Sequence, residues 1–225
     1  MTVNGGRRGG LVLALVAAVI GVVLIVLAVT SQEPAPPQLD APVGRVDATP
    51  TPTPSAEADR VRPAEEVPLG PSRPVSISIP AIGVSSELLA LGKAPDGSLA
   101  VPQPGPNLDK AAWFENSPTP GQPGPAVIEG HVATEQSGPS VFFELAELRP
   151  GDKVTVERKD GSTVVFHVTA LREFAKDRFP TELVYGGNVS EPTLRLITCS
   201  SFDPSIGKHT GNLVVFAELT NVRGA

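Results

Sequence analysis

Thr193-Leu-Arg-Leu-Ile-Thr-Cys199 alternates apolar and polar side chains and ends on the only cysteine of the 225-residue chain, with Ser200 and Ser201 directly behind it. Alternation with a period of two is the pattern of a strand with one face turned inward. The cysteine therefore stands at the exit of a strand. It has no partner for an internal disulfide, which leaves a reactive thiol, an intermolecular bridge or a small buried hydrophobe.

Other runs around it read as strands too. They are Val75-Ser-Ile-Ser-Ile79, Ala126-Val-Ile-Glu-Gly-His131, Lys153-Val-Thr-Val-Glu157, Thr163-Val-Val-Phe-His-Val168 and Leu213-Val-Val-Phe-Ala217. Asp160-Gly161 between two of these runs predicts a hairpin turn. A short helix is expected over 140–148, where Phe142, Phe143, Leu145 and Leu148 recur at helical spacing before Pro150-Gly151. Many short strands with little helix imply an all-β sandwich or closed barrel.

Ahead of this region lie two zones of different composition. Arg7 and Arg8 precede Leu11 to Val29, an apolar stretch with no charge. At 1.5 Å per residue it is about 29 Å long, enough to cross a bilayer core. The arginines favour a cytoplasmic N-terminus, so residues 1–30 are expected to be a cytoplasmic tip and transmembrane anchor. The alternative is a cleaved signal peptide, although no clear small-x-small site follows the stretch. Prolines from Pro34 to Pro74 crowd 31–74, which has no aromatic residue. That segment reads as a disordered, semi-rigid stalk, because it cannot bury enough apolar surface to offset its ordering entropy. Residues 75–225 have the size of one domain. A net charge of −6 with no basic stripe argues against a nucleic-acid partner.

Three histidines are candidate bases for Cys199. His167 lies inside a strand, where packing or exposure accounts for it. His209 sits in the polar stretch Gly207-Lys-His-Thr-Gly211, which is expected to be a loop without restraint on the ring. His131 ends an apolar strand directly after Gly130, which permits close approach of another chain segment. It is either a site residue or a satisfied edge histidine. No pair of histidine or cysteine residues has metal-ligand spacing, and Glu129, Glu135 and Glu144 are too scattered to form a cluster, so neither metal nor cofactor is expected.

Taken together, Ile77-Ser-Ile-Pro-Ala-Ile-Gly83, Ala112-Trp-Phe114, Pro120-Gly-Gln-Pro-Gly124, Glu129-Gly-His131, Gly151-Asp-Lys-Val154, Leu196-Ile-Thr-Cys199 and Asn212-Leu-Val-Val-Phe-Ala217 resemble a sortase. The details are most similar to the class F sortases of actinobacteria. The resemblance covers 75–221. It implies a closed eight-stranded β-barrel with one or two short helices, held outside a Gram-positive cell by its membrane anchor. It also implies a thiol transpeptidase that cleaves a Leu-Pro-x-Thr-Gly-type sorting signal and joins the acyl product to a cell-wall precursor or pilin amine. Without an amine acceptor, the same enzyme would hydrolyse the signal.

By the same resemblance Cys199 matches the nucleophile and His131 the catalytic histidine. The family's arginine, which contacts the substrate and the developing oxyanion, usually lies in or just before the last strand. Here Gly207 to Leu213 contains none; Lys208 and His209 are the local cations. Strand parity offers Arg195 instead, on the Cys199 face about 13 Å from the thiol. Arg195, Ile197 and Thr198 are expected to bind substrate; Arg172 and Arg178 are further basic candidates. Two other readings remain. One is a different cell-wall cysteine transpeptidase acting on stem peptides, although its usual Gly-rich cysteine motif is missing. The other is a catalytically silent barrel that binds wall peptides.

Overall fold

The computed structural model describes residues 69–186 and 190–224. The expected anchor over 1–30 and the stalk as far as residue 68 lie outside them. Among the described residues no helix is long and apolar enough to cross a membrane.

The strands are β1 (Pro74–Ile79), β2 (Val84–Leu91), β3 (Ala111–Phe114), β4 (Gly124–Glu129), β5 (Ala133–Thr134), β6 (Gly138–Pro139), β7 (Lys153–Arg158), β8 (Thr163–Ala175), β9 (Pro192–Asp203) and β10 (Lys208–Arg223). Eight of them close a barrel in the order β1-β2-β3-β4-β9-β10-β8-β7, and β5 pairs with β6 apart from it. The pairs β2–β3 and β4–β9 are parallel; the remaining barrel pairs are antiparallel. The expected closed barrel is therefore present. The Asp160-Gly161 hairpin is present too, with Gly161 at φ 85°.

The expected helix over 140–148 is only a 3₁₀ turn, Leu145–Glu147. Phe142, Leu145 and Leu148 are all buried, and their period is three rather than 3.6, which suits the tighter winding. One short α-helix, α1 (Thr181–Tyr185), forms in the segment between β8 and β9.

The wall made by β4, β9, β10 and β8 is apolar on both faces. Inside the barrel, Ala126, Ile128, Leu194, Leu196, Leu213, Val215, Phe166 and Val168 belong to the main core. Outside, Val127, Ile197 and Val214 join Phe114 and Val184 in a second cluster, flanked by Leu99, Phe174, Phe179, Tyr185 and Phe216. The loop bearing α1 supplies much of that cover. Every residue of β4 is consequently buried, as befits a strand with a parallel neighbour and both faces covered. Parity then fixes the site. Leu194 and Leu196 point inward, so Arg195, Ile197 and Cys199 point outward.

Among the described residues, contacts with the barrel are already made by Leu69, ahead of Val75. Arg158 is 2% exposed, and its guanidinium donates to the Gly70 and Pro120 carbonyls and to Asp160. Ser72 donates its backbone N–H to Thr119 Oγ1 and accepts at its hydroxyl from the Asp160 N–H.

Candidate active site

Parallel pairing of β4 with β9 runs from Gly124 opposite Pro192 to Glu129 opposite Ile197. Two bonds carry it one residue further. The Gly130 N–H donates to the Ile197 carbonyl at 3.2 Å, and Thr198 Oγ1 donates to the Gly130 carbonyl at 2.9 Å. His131 thus leaves β4 level with Cys199, about one interstrand spacing away. Gly130 is required by close approach: a Cβ there would lie 2.5 Å from Val141 Cγ1 and 2.8 Å from Phe142 Cδ2.

The two side chains are held by different neighbours. His131 Nε2 lies 2.9 Å from the Pro102 carbonyl. A carbonyl only accepts, so Nε2 carries the hydrogen and Nδ1 of the neutral ring is left with its lone pair. Cys199 is half-buried, and its Sγ accepts a hydrogen bond from Lys176 Nζ at 3.5 Å. Lys176 follows β8 at the start of a 3₁₀ turn. Sequence reading did not single it out, since a lysine 23 residues from the cysteine carries no spacing signal. The available clue was its place just beyond a long strand two positions across the sheet from β9.

Arg195 does lie on the outer face, opposite Val127 and Phe216. Its guanidinium stacks 4.6 Å from the Phe216 ring centroid and donates Nη1 to the Leu194 carbonyl. Its Nε is buried without a hydrogen-bond partner. Burial pushes its pKa down to about 10, against the opposing pull of Glu218, so it stays charged at neutral pH. Arg172 approaches the same ring at 5.7 Å, and Arg178 lies 3.8 Å from Asp177 in the exposed turn. Lys208 opens β10 opposite Asp203, four residues before the Asn212 that pairs with Cys199. Strand rise puts its backbone about 13 Å beyond that rung.

Two expectations need correction. Thr198 does not line the outer groove: it has the opposite parity from Cys199, is buried, and spends its hydroxyl on Gly130. His209 is not in an unrestrained loop. It lies in β10, edge-on to Phe202 at 5.2 Å, with Nδ1 3.3 Å from the Ser200 carbonyl.

Glu129 shares the outer face with His131. It is 6% exposed, and burial pushes its carboxyl up to about 8. At pH 7 it is mostly the neutral acid. Beside it, burial and then the Glu129 charge push Tyr185 up to about 12. Among the described residues no group of three or more histidine, cysteine, aspartate or glutamate side chains could hold a metal ion.

Residues 77–220 match the family model of the sortase domain. The fold is similar to sortase A of Listeria monocytogenes, with 17% identity and a TM-score of 0.50 over 68% of this chain and 90% of that one. It is also similar to sortase A of Corynebacterium diphtheriae, with 20% identity and a TM-score of 0.51 over 67% and 61%. For sortase C-1 of Actinomyces oris the values are 20% and 0.51 over 70% and 78%. No curated protein matches the chain. With well over half its length matched, the chain belongs to the sortase family, the cysteine transpeptidases of the cell wall.

Proposed function

We propose that this chain is a membrane-anchored, extracellular transpeptidase of the class F type that processes Leu-Pro-x-Thr-Gly-type sorting signals. Cys199 is its nucleophile and His131 its acid and base. The observation that carries the assignment is the pairing of Gly130 with Ile197 and Thr198, which levels the histidine with the thiol.

His131 Nδ1 takes the Cys199 thiol proton, and the thiolate so formed attacks the threonyl carbonyl carbon, forming a C–S bond. The C–N bond to glycine breaks, and the departing amine takes a proton from His131 Nδ1. An incoming amine then attacks the thioester and gives its proton to His131. The C–S bond breaks and the thiolate returns. Water in place of the amine yields the free acid. Ile197 forms apolar floor, and Arg195 on Phe216 supplies a fixed cation farther along the same face for the bound peptide. Thr198 acts through the backbone of Gly130.

The apolar span Leu11 to Val29 anchors the enzyme and the proline-rich stalk spaces it from the bilayer. Recovery of the intact N-terminus from membrane fractions is expected; only chains starting near Ser31 would contradict the anchor.

The reaction is tested with the full chain in detergent, a sorting peptide, and either a cell-wall precursor amine or a pilin-type lysine peptide. An amide-linked exchange product is expected with one of the acceptors, and the free acid without either. Neither product forming from sorting peptides, with stem peptides consumed instead, would replace this reading by the other cell-wall transpeptidase.

A further inference from the structure

The chain has no arginine between Cys199 and Arg223, so the charge that should face the reacting atoms must come from elsewhere. Each basic candidate named above is committed to another place, His209 to the Ser200 carbonyl and the Phe202 ring. Arg195 and Arg172 share the Phe216 ring, Arg178 is beside Asp177, and Lys208 begins its strand opposite Asp203. Lys176, by contrast, is hydrogen-bonded to the thiol sulfur.

The backbone explains why. Cys199 pairs with Asn212, Asn212 pairs with Phe174, and one rung on Ser200, Gly211 and Ala175 line up likewise. Lys176 follows immediately. Phe174 lies two interstrand spacings, roughly 10 Å, from Cys199 and Lys176 two residues further along, a gap that a lysine stem and a cysteine side chain span together. The polar Asn212 occupies the rung between them.

We infer that Lys176 is a catalytic residue: its ammonium stabilises the Cys199 thiolate and takes the charge-bearing place that an arginine holds elsewhere in the family. This deepens the transpeptidase reading and rests on it for the reaction served, although the charge pairing itself can be measured without substrate. The stem is flexible and the ammonium is exposed, so its field acts under strong solvent screening. A unit charge at 3.5 Å under water-like screening corresponds to a five- to tenfold effect on thiolate reactivity.

Because Cys199 is the sole cysteine, alkylation of the full chain in detergent reads this one thiol. Rates with anionic iodoacetate and neutral iodoacetamide are compared for wild type, Lys176→Met, Lys176→Arg and the charge-matched control Lys153→Met. Lys176→Met is expected to slow iodoacetate about five- to tenfold, and to slow it more than iodoacetamide, because both the thiolate and the reagent lose their cation. Lys176→Arg should stay within about twofold of wild type, and Lys153→Met should match it. Wild-type rates for Lys176→Met with both reagents would overturn the inference, as would equal losses in Lys176→Met and Lys176→Arg. Alkylation as expected, with no thioacyl enzyme from any sorting peptide, would instead overturn the sorting reaction and leave the Lys176–Cys199 pair standing.

Discussion

Glu129 is the residue whose setting departs most from its chemistry. A carboxyl with an ordinary value of 4.5 keeps its proton to about pH 8 because it is buried one step before the Gly130-His131 segment. Between those values the folded state holds a proton that the unfolded state has released, so the group's contribution to stability falls as pH rises through that window. Glu129→Gln removes the ionisation. Relative to wild type, the variant should gain stability progressively from pH 5 to pH 8, by at most about 5 kcal/mol, read from urea unfolding across pH. A wild-type-to-variant difference that does not change with pH would contradict the buried neutral acid. Arg195 makes a second residue-scale case. Arg195→Ala and Arg195→Lys should each lower kcat/KM on a sorting peptide by more than about threefold, roughly 0.65 kcal/mol, since lysine loses the planar stack on Phe216. Smaller losses in both variants would reassign it to packing.

At the level of elements, the proposed alignment of His131 with Cys199 depends on how β4 ends. Gly130 sits against Val141 and the fully buried Phe142, which has no room to withdraw. Gly130→Ala should therefore cost about 1–3 kcal/mol of stability and lower kcat by displacing His131. Unchanged melting together with unchanged kcat would show that the approach is not needed. This junction was legible in the sequence, because a glycine and a histidine closing an apolar strand signal a close approach. Much of the barrel was legible as well, through alternation in β1, β7 and the centres of β8, β9 and β10. β2 was not. Its apolar residues gather at Leu88 to Leu91, a run without a two-residue period. β3 is four buried residues, too short to show any. The Phe142 to Leu148 spacing does not fix the pitch, since burial every third residue fits both kinds of helix over so few turns. The Lys176 contact belongs to strand order, which local pattern does not encode.

At the scale of the whole molecule, the chain just ahead of β1 is fastened to the barrel. Arg158 joins Gly70, Pro120 and Asp160 from a buried position and so links the chain ahead of β1 to the β7–β8 hairpin. Arg158→Met should cost about 2–4 kcal/mol in urea unfolding by stranding those acceptors, with the thiol's alkylation rate unaltered in the folded protein. A cost below about 0.5 kcal/mol would mean that water replaces the guanidinium freely. The proposed chemistry lies on the barrel's opposite wall, where an apolar cluster packs outside β4, β9 and β10 and Cys199 stands at its end. Everything proposed for function depends on that thiol becoming acylated. The most direct measurement is the intact mass of the full chain after brief exposure to a Leu-Pro-x-Thr-Gly peptide, with Cys199→Ala and His131→Ala alongside. The account predicts an adduct equal to the peptide's acyl portion through threonine, located on Cys199, absent in Cys199→Ala and severely reduced in His131→Ala. An unmodified Cys199 while the peptide is nevertheless cleaved, or turnover by Cys199→Ala at the wild-type rate, would contradict it.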